Sequence, residues 1–386
     1  MDWTFFHDLL SIDSTSGKER KVAEWLVERL PEMFPVTNRP VLRIDEVGDG
    51  TLNLLLTWDS PRIVFCSHLD TVPPYIEPLF PDRWPVAAGH DDGITVIPGN
   101  SPSVISSEVE KSSVIPGMTG NLADTIKGRG TCDAKGQVFA LIMACQKLAE
   151  TGETDFGLLL LAGEETGSWG AKAFAKTGFK APYLVVAEPT DNCMISASKG
   201  TKSFDLKFTG VPFHSGYPQY GVSAVDLFVE FVNALKAKDF GVDPVLGETT
   251  WNIGLLHSDN PQNILSPELT CRIYFRTTFV SDEAVSAWMA EAPSVIPGLT
   301  GNLAVTPRGG DTPARYWTVE GLPSKSASFG TDAPHLTNFT YKAICGPGSI
   351  TVAHRDDEQI RVADLETAVE QYMHLYDAVM NTADNT

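Results

Sequence analysis

Several apolar stretches of this chain end in residues that bind metals or move protons. The first such block is Ser67-His68-Leu69-Asp70. In a strand, side chains two apart share a face, so His68 and Asp70 stand together at a carboxyl end, suiting a metal-binding imidazole with an orienting carboxylate behind it. A surface histidine beside an aspartate reads the same way. The second block, Gly128-Arg129-Gly130-Thr131-Cys132-Asp133, precedes an apolar helix, so Asp133 is either an N-cap or a carboxylate whose two oxygens bridge two cations. The third is Gly163-Glu164-Glu165-Thr166-Gly167. Adjacent glutamates in extended backbone face opposite ways, so one can hold metal while the other faces a water as base, although a solvated loop would carry the same pair. Glu188 follows another strand, and His354 follows the turn Gly346-Pro347-Gly348. Carboxylate oxygens in excess, two imidazoles and no paired thiolates fit two divalent ions, zinc first, with cobalt or manganese as alternatives.

The elements that must place these residues follow from periodicity. Ser16 and Glu19 form a capping-box pattern before Val22, Ala23, Leu26, Val27 and Leu30, which predicts an amphipathic helix. Strands are expected over Thr51–Trp58, Arg62–Cys66, Phe156–Ala162 and Tyr183–Ala187, with helices over Gln137–Leu148 and Ser168–Lys176. This alternation implies an α/β sheet with parallel members. From about Lys202 the order becomes strand (Ser203–Thr209), helix (Val222–Ala237), two strands (Thr250–His257, Leu269–Phe279) and helix (Glu283–Ala290), as in a small two-layer sandwich. A strand at Lys342–Cys345 and a helix from Asp364 to Met380 then return to the first pattern. The expected organisation is a metal-binding domain of residues 1–199 and 309–386 with residues 200–308 inserted.

A chain of 386 residues exceeds one small core, and 49 acidic against 29 basic side chains give a formal charge of −20, which argues against nucleic acid or an anionic membrane as partner. No purely apolar run approaches the roughly 18 residues that span a bilayer. The N-terminus shows no signal peptide, and six scattered cysteines without a CxxC pair read as reduced thiols, so a cytoplasmic protein is expected. Ser113–Ala123 and Ser294–Ala304 are near-identical, differing only at Met118 and Leu299. Their Ser, Gly, Pro and Asn content predicts an inserted element carried on two surface loops, the first within a long connection, Pro81–Lys127.

The blocks HLDTVP, GRGTCDAKG, GEETG, AEPT and the late histidine, in this order, resemble the M20 family of dinuclear metallopeptidases and deacylases. The resemblance spans nearly the whole chain apart from Pro81–Ala123 and the second repeat copy. It implies a zinc-peptidase-like mixed sheet with helices on both faces and an inserted α+β lid or dimerisation domain. It further implies His68, Asp133 and Glu188 on one metal, Asp133, Glu165 and His354 on the other, Glu164 as general base and Asp70 behind His68. Phe213-His214-Ser215-Gly216 resembles the motif whose histidine stabilises an oxyanion, commonly in a dimer mate. Asn263 and Arg276 resemble the pair whose arginine holds a substrate carboxylate, with Arg272 as the alternative outward-facing arginine. Gly330-Thr331-Asp332 resembles the carboxylate-binding turn. Ala134 after the bridging aspartate and Pro212-Phe213 before the lid histidine depart from the usual pattern. Cys345-Gly346-Pro347-Gly348 and Ser328–Pro334 are similar to acetylornithine and acetylcitrulline deacetylases. The implied activity is hydrolysis of the amide bond of an N-acyl amino acid by a homodimer, first of all deacetylation of N-acetylornithine or N-acetylcitrulline in arginine biosynthesis. A di- or tripeptidase or carboxypeptidase-like enzyme is the alternative within the family, and a non-catalytic binding protein the alternative outside it.

Overall fold

Unbroken apolar strands need cover on both faces, and the computed structural model, which describes residues 1–81 and 124–382, provides it. Its six-stranded central sheet has the order Val41–Val47, Thr51–Thr57, Phe156–Leu161, Ile63–His68, Ala181–Val186, Phe339–Ile344. The last four run parallel, and the first two add an antiparallel hairpin at one edge. Alternate residues feed two cores. Ile63 and Phe65 pack among the helices Trp3–Ser11, Arg20–Met33, Lys135–Glu150 and Val362–Asn381, while Val64 and Cys66 meet Ala171 and Phe174 on the other face. The fold is therefore α/β with a mixed sheet and helices on both faces. Among the described residues no helix is long and apolar enough to cross a membrane.

A second sheet is built from Thr250–His257, Glu268–Thr277, Gly200–Thr209 and Leu303–Gly309, in that order and antiparallel throughout. Phe204, Leu206 and Phe208 alternate with polar neighbours, as do Leu269, Cys271, Ile273 and Phe275, and all seven face a core shared with the helices Ala224–Ala237 and Asp282–Val295. Each such side chain contributes about 1.5–3 kcal/mol when fully buried.

Two expectations are corrected here. Ser16 does not cap the helix Arg20–Met33: the residue before the helix is Glu19, whose Oε2 accepts the Gly17 amide, and the Ser16 hydroxyl turns elsewhere. The second repeat copy is not a tolerated surface loop, because Ile296, Leu299 and Leu303 are buried in the core of the second sheet, where the copy closes one helix and opens a strand. The first copy, Ser113–Ala123, lies outside the described residues. Two elements also lacked a clear sequence signal. They are the helix Trp3–Ser11, whose Phe5 amide is capped by Asp2 at 3.0 Å, and the strand Val41–Val47, which has no buried residue and sits at the sheet edge.

Candidate metal centre

The parallel strands all point their carboxyl ends one way, and that edge collects the titratable residues. His68 closes the strand Ile63–His68, Glu164 and Glu165 follow Phe156–Leu161, and Glu188 follows Ala181–Val186. Asp133 arrives from the loop before the helix Lys135–Glu150. A β-carbon at Gly136 would stand 2.1 Å from the Thr131 carbonyl oxygen, so only glycine lets this helix start so close to that loop. Asp133 is not an N-cap, because Ala134 occupies that position without a side-chain bond.

Asp133 faces both imidazoles with separate oxygens. His68 Nε2 lies 3.1 Å from Oδ1, and His354 Nε2 lies 3.2 Å from Oδ2. His354 Nε2 also lies 2.9 Å from Glu165 Oε1. Ligating atoms of His68, Asp133 and Glu165 all fall within 4.8 Å of one another. Behind His68, Nδ1 meets the Asp70 backbone oxygen at 3.0 Å and its carboxylate at 3.4 Å. The contacts thus meet at Asp133, with His68 at one of its oxygens and His354 at the other.

The surroundings of Glu164 and Glu165 differ for a reason other than the one expected. They lie in a turn rather than extended backbone, with the Gly167 and Ser168 amides donating to the Glu164 carbonyl. The Glu165 side chain meets His354. Glu164 keeps a partial opening to solvent, although protein surrounds most of it, and burial pushes its carboxyl well above the usual range, with the nearby Asp332, Glu165 and Asp133 charges adding to this. Burial, then Glu164, does the same to Glu188, whose Oε1 is buried with no hydrogen-bond partner. Bonds to Asp133 and Glu165 raise His354 to about 10. His68 is also held well above its usual value, because its bonds to Asp133 and Asp70 outweigh burial. Asp133 is shifted below the usual carboxylate range, since hydrogen bonds from His354 and His68 overcome its burial.

Among the described residues no lysine or arginine pairs with Asp133, Glu164, Glu165 or Glu188. Carboxylates this crowded need cations, and two imidazoles with hard oxygens suit zinc-like divalent ions. The residues present fit a two-metal site.

Three residues contribute contacts that the sequence did not signal clearly. Asp332 is buried beside Glu164 and Glu188, and burial lifts its carboxyl to about 6. Glu358 accepts the Cys132 and Asp133 amides, both at 3.0 Å, with Oε1 and pairs with Arg129 at 2.6 Å through Oε2. Ser16 donates to Asp70. The Glu358 position, four residues past His354, was the available signal.

Of the other expected site residues, Arg276 lies on a strand of the second sheet, while His214, Asn263 and Thr331 lie outside its strands. His214 is exposed in a turn where its Nδ1 accepts the Gly216 amide at 3.0 Å, and the Ser215 amide donates to the Asn263 carbonyl at 2.9 Å. His214 and Asn263 are therefore neighbours, but among the described residues neither bonds to the imidazole–carboxylate cluster. Arg276 rests 5.0 Å over the Tyr274 ring, and its Nη1 would stand 4.0 Å from a β-carbon at Gly330. Arg272, the alternative, is committed to Asp205 at 2.6 and 3.2 Å. The Thr331 hydroxyl accepts the Ala333 amide at 3.1 Å, so it shapes its own turn.

Comparison with known proteins gives the family and the fold. The sequence model of peptidase family M20/M25/M40 matches residues 114–378. A probable carboxypeptidase of Emericella nidulans is 31% identical over 97% of this chain and 88% of its own length. A peptidase M20 domain-containing protein of Sordaria macrospora is 31% identical over 95% and 82%. In structure, a tripeptidase from Staphylococcus aureus superposes with a TM-score of 0.73 over 97% of this chain and 96% of its own, at 18% identity.

Proposed function

Because this chain belongs to peptidase family M20/M25/M40, we propose that it is a metal-dependent hydrolase cleaving an amide bond next to a free carboxylate, as a carboxypeptidase or small-peptide peptidase does. The observation that carries this reading is Asp133 facing His68 and His354 through separate oxygens, beside a buried Glu188 oxygen that has no partner. His68, Asp133 and Glu188 would hold one divalent ion, and Asp133, Glu165 and His354 the other. Such ions supply Lewis acidity, polarising a carbonyl and bringing the pKa of water toward neutrality.

The chain's own residues do the rest. Glu164, with a raised pKa and a partial opening to solvent, takes the proton of the attacking water and passes it to the leaving nitrogen as the carbon–nitrogen bond breaks. Asp70 fixes the His68 ring. Arg276, free of any carboxylate partner among the described residues, grips the substrate carboxylate as a two-donor fork, with the Gly330–Thr331 turn beside it. His214, exposed in its turn, donates to the oxyanion of a partner protomer in a homodimer, with residues 200–308 acting as lid and dimerisation domain.

A second reading, deacetylation of N-acetylornithine or N-acetylcitrulline, rests on the Cys345–Gly348 and Ser328–Pro334 blocks. It shares the free carboxylate, while the relatives' names favour peptides. Zinc- or cobalt-loaded protein should be tested on di- and tripeptides, both N-acetyl amino acids, and the same compounds with amidated carboxyl ends. Peptides with a free carboxylate should turn over, and amidation should lower kcat/KM by about 10–100-fold, the effect of a charged hydrogen bond. Preference for the N-acetyl amino acids would install the second reading. Hydrolysis indifferent to amidation would overturn the carboxylate role.

A further inference from the structure

We propose that Ser16 is a positioning residue that acts through Asp70 on the Glu164–Glu165 turn. This rests on that turn serving the reaction as described above. Asp70 does more than orient His68. Its Oδ1 accepts the Glu164 amide at 3.0 Å, and its Oδ2 accepts the Glu165 amide at 3.2 Å. The same Oδ2 takes the Ser16 hydroxyl at 2.9 Å, so one fully buried carboxylate joins three distant segments of the chain. Of the two bonds to Oδ2, the one from Ser16 is the shorter.

Ser16 is delivered there by backbone pairing. Its amide donates to the Thr71 carbonyl, the Thr71 amide donates to the Ser14 carbonyl, both at 3.0 Å, and Thr15 bridges Thr71. Glu19, buried, accepts the Gly17 amide at 2.6 Å and fixes the turn that presents the hydroxyl. The two polar residues of the capping-box pattern are thus divided, one holding a turn and the other holding Asp70. A carboxylate that accepts along both oxygens cannot swing about its χ2, and backbone amides bonded to it keep their turn. Among the described residues, without Ser16 only the longer bond from Glu165 restrains Oδ2, and the positions of a proton acceptor and a metal-ligating carboxylate loosen together.

The test uses the zinc-loaded full chain with Ser16→Ala and Ser16→Thr. Ser16 is partly exposed, so a threonine methyl can face solvent while the hydroxyl stays. Ser16→Ala should lower kcat about tenfold with KM unchanged, and hydrogen exchange of the 162–168 amides should accelerate. Ser16→Thr should restore both. Unchanged exchange in Ser16→Ala, or equal losses of kcat in the two variants, would overturn the proposal. Exchange needs no substrate, so an accelerated 162–168 segment in Ser16→Ala supports the clamp even if the unaltered protein hydrolyses none of the panel, a result that would count against the proposed reaction alone.

Discussion

At the edge of the central sheet Arg129 meets Glu358 over 2.6 Å, and on the open face of the second sheet Arg272 meets Asp205 over the same distance. The first pair is 1% and 0% exposed, the second 37% and 34%. Asp205 takes a second arginine, Arg308, also at 2.6 Å, so its charge is amply met and water screens what remains. Glu358 has one arginine and spends its other oxygen on the amides under Asp133. Beyond it lie Asp70, Asp133, Glu164, Glu165, Glu188 and Asp332 against two imidazoles, so four carboxylates lack a cation even with both histidines protonated. Contact distance does not separate structural charge clusters from chemical ones. Burial and unmatched charge do.

The comparison breaks most directly at Glu164. Glu164→Gln keeps the shape and removes the proton acceptor, so kcat should fall by about 10²–10⁴, while metal content of the purified protein stays as in the parent. Retained turnover would remove Glu164 from the reaction and leave the buried cluster a metal site only.

Arg129→Met is the next largest effect. It leaves Glu358 buried and uncompensated beneath Asp133, and should cost about 3–5 kcal/mol in denaturant unfolding. The sign of its pH dependence follows from Glu358, whose carboxyl burial already raises above its ordinary value. A carboxyl with a raised folded pKa contributes stability below its unfolded value and loses it as pH climbs, and removing the arginine raises that pKa further. The penalty should therefore be greater at pH 8 than at pH 5. An equal, small loss at both would place Arg129 with the surface arginines.

What could be read in advance divides along the same line. Strand periodicity and apolar runs gave away the sheet and the residues at its carboxyl edge, because His68, the Glu164–Glu165 pair and Glu188 each end a local signal. Pairings across the chain left no such trace, and Arg129 and Glu358 are 229 residues apart. Ser16 matched a local rule, and a stronger distant acceptor, the buried Asp70 carboxylate, won its hydroxyl. The second repeat copy was misjudged by its Ser, Gly, Pro and Asn content, although it buries Ile296, Leu299 and Leu303. Arg272 and Arg276 could not be separated by periodicity, since a strand puts residues four apart on one face. Their partners separate them.

That separation supplies the smallest effect and the sharpest control. Arg272 and Arg276 share a strand and a face, but only Arg272 is bonded to a carboxylate among the described residues. Arg272→Met removes a solvent-screened pair while Arg308 stays on Asp205, so the melting temperature, kcat and KM should all remain at parent values. The matched Arg276→Met should raise KM for substrates with a free carboxylate and leave amidated ones unaffected. If Arg272→Met raised KM as well, the open face of the second sheet would take part in substrate capture, and exposure would no longer mark which arginine pairs are inert.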